Sequence, residues 1–184
     1  MKIIIGISGA SGSAYATRLI EELYEQCEIV LVASETAKQI MADETDFNYS
    51  DLEKLAHETY DNYDMGADIC SGSHKFDAMV IVPCSMTTLA KLACGIGDNV
   101  ITRAGSVTLK ERRKLIIVPR ETPMSSIQLE NMLKLSREDA VILPAMPGFY
   151  GRPETAQELI DFVVGRILDL LDIENEVGVR WSSD

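Results

Sequence analysis

The chain has 184 residues, is 46% hydrophobic and carries a formal net charge of −12. That length suits one domain with a substantial core, and the apolar content excludes a disordered chain. The acidity argues against nucleic acid and anionic membranes as partners.

Residues 2–8 (KIIIGIS) form a short apolar run ahead of glycines, the pattern of a first buried parallel strand. Leu19, Ile20, Leu23 and Tyr24 fall at helical spacing and predict a helix over 13–26. Residues 28–33 (EIVLVA) read as a second strand. The acidic stretch 43–64 is expected to hold one helix, around 52–56. AMVIVP (78–83) and KLIIVP (114–119) are strands of the same kind, followed by helical patterns over 86–94 and 127–135. AVILP (140–144) is a further strand. A last helix spans about 154–171, ahead of a polar tail. Strands alternating with helices mean βαβ units and a parallel sheet with right-handed crossovers. No internal repeat or linker interrupts the pattern, so one domain over 1–184 is expected.

No apolar stretch approaches the roughly 20 residues that span a membrane. The start, MKIIIGISGASG, is apolar for too few residues to be a signal peptide and lacks a cleavage signature. A cytoplasmic protein is expected. The four cysteines, Cys27, Cys70, Cys84 and Cys94, form no CxxC pair, and only two histidines are present. This argues against a structural zinc site and for a reducing compartment. Cys84 reads as a core thiol rather than a nucleophile.

In sheets of this kind, ligands bind beyond the carboxyl ends of the strands. That rule selects 9–13, Ser34, 84–88, 120–122 and 145–150. GISGASG is not the GxGxxG dinucleotide fingerprint, and no ribose-binding acid closes the second strand, which weakens NAD as a ligand. Its small-residue turn still exposes backbone N–H groups at a helix N-terminus, with the hydroxyls of Ser11 and Ser13 beside them, and so favours an anion such as phosphate. PCSMTTLA repeats the idea. Ser85 alone would suffice as an N-cap, but Ser85, Thr87 and Thr88 together suit a ligand with several polar edges. From Arg103 to Arg120 six cations meet one acid, so that window is +5 and the remainder −17. A small-anion site and a solvated helix end both account for this run. Arg120 offers a fork of donors suited to phosphate, and Glu121 beside it could hold a proton. The last helix is apolar on most sides yet contains Arg166, so the C-terminal part, about 154–184, is expected to pack on neighbouring subunits.

GASG, SGS, PCSMTTLA, GDN, LKERR, RETP, LENMLKLS and PGFY, in this order over residues 3–180, resemble the UbiX-type flavin prenyltransferases. The resemblance implies a Rossmann-like, single-domain flavoprotein, three-layered with helices on both sides of a mainly parallel sheet. It implies transfer of a dimethylallyl group from dimethylallyl phosphate to N5 and C6 of reduced FMN. The product, prenylated FMN, would serve a UbiD-type decarboxylase, and no metal would be needed. A homo-oligomer, a dodecamer with sites between subunits, is implied as well. By the same resemblance the FMN contacts are Gly9, Ala10, Ser11, Ser34, Ser85, Met86, Thr87, Thr88 and Arg120. The dimethylallyl phosphate contacts are Arg103, Lys110, Tyr150 and Arg166. Glu121, Ser11 and Arg120 stand closest to the chemistry. Ser106 and Ser8 replace the acid and the threonine common in that pattern. Two other readings are a flavoprotein that oxidatively decarboxylates a cysteine-bearing substrate and a non-enzymatic FMN-binding module. The first would rely on a histidine or cysteine at the strand ends, whereas His57 and His74 lie away from them. The second would leave the flavin chemically unchanged.

Overall fold

The structure, a computed structural model, describes residues 1–181. Six strands form one parallel sheet: β1 (Lys2–Ile7), β2 (Glu28–Ala33), β3 (Glu58–Asp61), β4 (Ala78–Cys84), β5 (Lys114–Pro119) and β6 (Val141–Ile142). Their order across the sheet is β3-β2-β1-β4-β5-β6, and every pairing is parallel. This is the doubly wound Rossmann order, which reverses direction between β1 and β4. The central strands are apolar on both faces, so successive side chains feed two separate cores. Ile3, Ile5 and Ile7 point to one side with Leu31, Val80 and Val118, while Ile4 points to the other with Val32, Met79 and Ile117.

The first core is covered by α1 (Ser13–Leu23), α2 (Glu35–Glu44), α3 (Tyr49–Leu55) and α7 (Ala156–Leu170). The second is covered by α4 (Met86–Ala93), α5 (Val100–Lys110) and α6 (Ser126–Arg137), with a single turn at Asp68–Cys70. On the first face, Arg18 Nε donates to Asp161 at 2.8 Å and ties α1 to α7.

Five predicted strands, the helix expected around 52–56 and the helices after the first, third, fourth and fifth strands are present, with ends moved by a few residues. Three elements were not anticipated: α2, α5 and the edge strand β3. Helix α5 begins at Asn99, whose side chain accepts from the Thr102 amide at 3.0 Å. The buried Asn62 steadies the same terminus by accepting from the amides of Val100 (backbone, 2.8 Å) and Ile101 (side chain, 3.2 Å). Among the described residues, no helix is long and apolar enough to cross a membrane. Of the predicted C-terminal part, residues 182–184 lie outside those described.

Candidate active site

The turns after β1 and β4 face each other across the point where strand order reverses. Ser8, at the end of β1, joins them: its hydroxyl donates to the Pro83 carbonyl at 3.2 Å and accepts from the Ser85 amide at 2.8 Å. Serine in place of the expected threonine therefore keeps both bonds. Gly9, Ala10, Ser11 and Gly12 follow as a half-exposed turn. Gly12 adopts φ +112°, where a side chain would be strained, and this reversal starts α1 at Ser13.

The anion on that turn is the protein's own. Glu44, the last residue of α2, accepts from the amides of Gly12 (2.8 Å) and Ser13 (3.0 Å). Burial opposes ionisation of Glu44, but the Ser11 hydroxyl and these amides outweigh it and hold the carboxyl below the usual carboxylate range. Those two amides, where the sequence pattern favours an anion such as phosphate, thus carry the Glu44 carboxylate. The position is taken, and Glu44 instead braces the turn that carries Ser11. Sequence reading missed Glu44 because it lies 33 residues from Ser11 in an acidic stretch, where one carboxylate among many carries no local signal.

Two helix N-termini remain open at the strand ends. Ser34 caps α2 by accepting from the Ala37 amide at 3.2 Å, and Ser85 caps α4 by accepting from the Thr88 amide at 3.2 Å. The Ser85 hydroxyl also donates to the Thr88 hydroxyl at 3.1 Å. Met86 lies half-buried behind this cap and Thr87 is exposed in front. Arg120 completes the group. Its amide donates to the Cys84 carbonyl at 3.3 Å, and its Nε reaches the Ser11 carbonyl at 3.2 Å. The guanidinium thus leaves β5, passes the end of β4 and arrives at the turn after β1. Arg120 and Glu121 form no ion pair among the described residues. Glu121 instead accepts from the Thr122 amide at 3.2 Å and stays half-buried. A cation flanked by two capped helix N-termini and free hydroxyls suits the phosphate of a mononucleotide.

The four residues expected at the prenyl phosphate divide into two pairs. Arg103 and Lys110 stand on α5. Arg103 Nε donates to the Cys70 carbonyl at 3.1 Å, and Lys110 pairs with Glu111 over Gly72. Tyr150 and Arg166 line one cavity of about 400 Å³ beside α7, with Phe162, Arg180 and Trp181. Helices α5 and α7 cover opposite faces of the sheet. One chain therefore brings Arg120 to the Ser11 turn and Tyr150 to Arg166, but it does not converge Arg103 and Lys110 with Tyr150 and Arg166.

The alternative reading needs a histidine or a reactive cysteine at this end, and the cysteine here, Cys84, is sealed in the core. Cys84 is fully buried, and burial pushes its thiol up to about 12. His57 accepts from the Ile29 amide at 3.2 Å near the start of β2, and His74 lies in the loop before β4. Both are at the amino end of the sheet. Among the described residues, no three metal-ligating side chains cluster.

Fold and site together define a Rossmann-like protein with a mononucleotide crevice at its switch point. A family model described as Flavoprotein matches residues 1–168. The chain is 50% identical over 183 residues to the flavin prenyltransferase UbiX of Methanocaldococcus jannaschii, covering all of both proteins. It is 49% identical to the flavin prenyltransferase LpdB of Lactiplantibacillus plantarum, covering 100% of this chain and 99% of the relative. Among solved structures it superposes on AnUbiX (PadA1), described in complex with FMN and dimethylallyl pyrophosphate, with a TM-score of 0.96 at 40% identity over 99% of this chain and 97% of that one. It also superposes on a dodecameric FMN-dependent UbiX-like decarboxylase from Escherichia coli O157:H7, with a TM-score of 0.97 at 42% identity over the whole of both. The chain belongs to the Flavoprotein family, within its UbiX-type flavin prenyltransferases. The peptidyl-cysteine decarboxylase EpiD, at 20% identity and a TM-score of 0.68, shares the fold alone.

Proposed function

We propose that this protein is a flavin prenyltransferase that joins the dimethylallyl group of dimethylallyl phosphate to N5 and C6 of reduced FMN. The observation that carries this reading is Arg120 crossing the switch-point crevice to the Ser11 turn. It does so in a chain half identical, over its whole length, to a named flavin prenyltransferase. FMN, when bound, supplies the nucleophilic ring. The residues set to hold it are Gly9, Ala10, Ser11, Ser34, Ser85, Met86, Thr87, Thr88 and Arg120. Its phosphate suits the helix termini capped by Ser34 and Ser85.

The chain's own task is electrostatic. As the allylic C–O bond breaks, the electron pair leaves with the phosphate and positive charge spreads over the five-carbon fragment. Arg103, Lys110, Arg120 and Arg166, helped by the Tyr150 hydroxyl, stabilise the departing anion. One such contact at 4 Å is worth on the order of 4 kcal/mol at an effective dielectric near 20, before desolvation. Only the part gained in the transition state accelerates the reaction, at about 1.4 kcal/mol per tenfold. Ser11, on the turn that Glu44 braces, would orient the reacting nitrogen of a bound flavin. Ring closure would need one proton delivered to the remaining double bond and one removed from C6, and Glu121 beside Arg120 would exchange that proton.

The opposite placement of Arg103 and Lys110 from Tyr150 and Arg166 supports a homo-oligomer in which neighbouring copies complete each site. We read this assembly as a dodecamer, with residues 154–181 packed on neighbours, and the product as passed to a UbiD-type decarboxylase. The test is anaerobic incubation of the protein with reduced FMN and dimethylallyl phosphate, followed by the mass of the recovered flavin. A gain of one five-carbon unit is expected. Flavin bound but unchanged in mass would leave only an FMN-binding module.

A further inference from the structure

The residues after α7 turn back across it as a strap, 173–181. Gly165 is the crossing point, since any side-chain carbon there would overlap the Val177 carbonyl oxygen. The strap's far end is held by one carboxylate. Arg180 gives Asp169 two bonds, Nη2 to one oxygen at 2.8 Å and Nη1 to the other at 3.1 Å. Asn175 Nδ2 donates to the same carboxylate at 3.3 Å. So does Arg166 Nη1, at 2.9 Å. The Arg180 bond, opposed by partial burial and aided by Asn175 and Arg166, holds the Asp169 carboxyl below the usual range. On the strap's other side, the Val179 carbonyl accepts from the Tyr150 hydroxyl at 3.2 Å. Trp181 meets the Tyr150 ring edge-on, with centroids 5.3 Å apart. The cavity containing Tyr150 and Arg166 is thus walled by the strap itself.

We propose that Asp169 is a positioning residue for the prenyl-phosphate site: through Arg180 it latches the strap 173–181, and the latched strap keeps Tyr150 and Arg166 in one cavity. This rests on the reading of Tyr150 and Arg166 as prenyl-phosphate contacts. Because two arginines share one carboxylate, Arg166 can turn to an arriving phosphate while Asp169 keeps Arg180. The carboxylate is never left bare, and the wall stays in place. The cavity's two guanidiniums against one carboxylate leave a net positive charge for an anion. A lone half-exposed ion pair contributes little, but the two-point Arg180–Asp169 geometry is the kind that contributes.

Trp181 is the chain's sole tryptophan, so its emission reports on the strap. The FMN-loaded protein is compared with Asp169→Asn, Arg180→Gln and the charge-conserving Arg180→Lys. Asp169→Asn and Arg180→Gln should expose Trp181 to acrylamide and raise KM for dimethylallyl phosphate by about fivefold, the scale of one such pair. FMN affinity and kcat should be retained, and Arg180→Lys should restore most of the KM. A merely structural role would instead lower Tm and FMN affinity together. In a binding arm, dimethylallyl phosphate is titrated against the oxidised, FMN-loaded protein while Trp181 emission is followed. Wild type should respond, and Asp169→Asn should respond only at higher concentration. Unchanged quenching in Asp169→Asn overturns the latch. Changed quenching with unchanged KM, or a silent wild-type titration, overturns the strap as a wall of the site. If wild type transfers no prenyl unit, the proposed function fails, and the titration still decides the latch.

Discussion

Replacing Gly165 by alanine tests the seat of the strap on α7. Two opposing effects follow from the geometry. Alanine inside a helix is favoured over glycine by about 1 kcal/mol. Against this, the new methyl overlaps the Val177 carbonyl oxygen and lies 3.1 Å from its carbon. Both partners are backbone-fixed, so no rotamer change relieves the contact. Forcing an extra carbon into a packed place costs about 1–3 kcal/mol. The net loss is about 1 kcal/mol, unless the strap lifts and releases the contact. In a chain of this length, 1 kcal/mol corresponds to a Tm shift of about 2–4 °C. The expected result is a Tm lower by that amount together with greater quenching of Trp181, measured at one protein concentration because an assembly's Tm depends on it. If the Ala variant melts higher by the same amount and Trp181 is equally protected, helix propensity acts alone and the strap does not cross at Gly165.

Glu44→Gln should flatten the acid side of the stability profile. The Glu44 carboxyl is held below the usual range, so its ionised form stabilises the fold at neutral pH, and that contribution is lost as pH falls through the folded-state value. Melting curves from neutral to acid pH should converge for wild type and variant, and parallel curves would remove Glu44 from the turn. Thiol alkylation at mildly alkaline pH should modify the exposed Cys94 first and leave Cys84 intact, because burial keeps Cys84 protonated; early loss of Cys84 in a peptide map would contradict its burial. Glu121→Gln should retain FMN but accumulate flavin prenylated without ring closure, read by absorbance and mass; wild-type rate and yield would take Glu121 out of the proton transfer. Arg103→Ala and Arg166→Ala should each be impaired, and subunits of the two variants reassembled together should regain part of the activity. No recovery in verified mixed assemblies would place both residues in one chain's site.

Much of this protein is legible in its sequence, for a local reason. A strand buried on both faces must be apolar at every position, and β1, β2, β4 and β5 announce themselves as such runs. The rule that ligands gather at the carboxyl ends of parallel strands then singles out the Ser11 turn, Ser34, the Ser85 cap and Arg120, and the fold brings these side by side. The missed elements lack that signature. Edge strand β3, ETYD, is half-exposed and polar. Helix α2 buries only Ala37 and Met41. Helix α5 buries Thr102, Gly105 and Thr108 within its apolar face, so its period is blurred, and it forms by packing on the sheet and by the Asn62 brace.

Local sequence was enough for the layered α/β architecture and for picking out the loops at the carboxyl ends of the strands, because both follow from periodicity and turn chemistry within a few residues. Which distant groups meet is settled by the folded chain alone. Glu44 lands on the Gly12 and Ser13 amides, Arg120 crosses to Ser11, Asp169 gathers Arg166 and Arg180, and Arg103 and Arg166 part to opposite faces of the sheet. Those meetings depend on strand order and helix placement, which the whole core sets at once and no short window of residues contains.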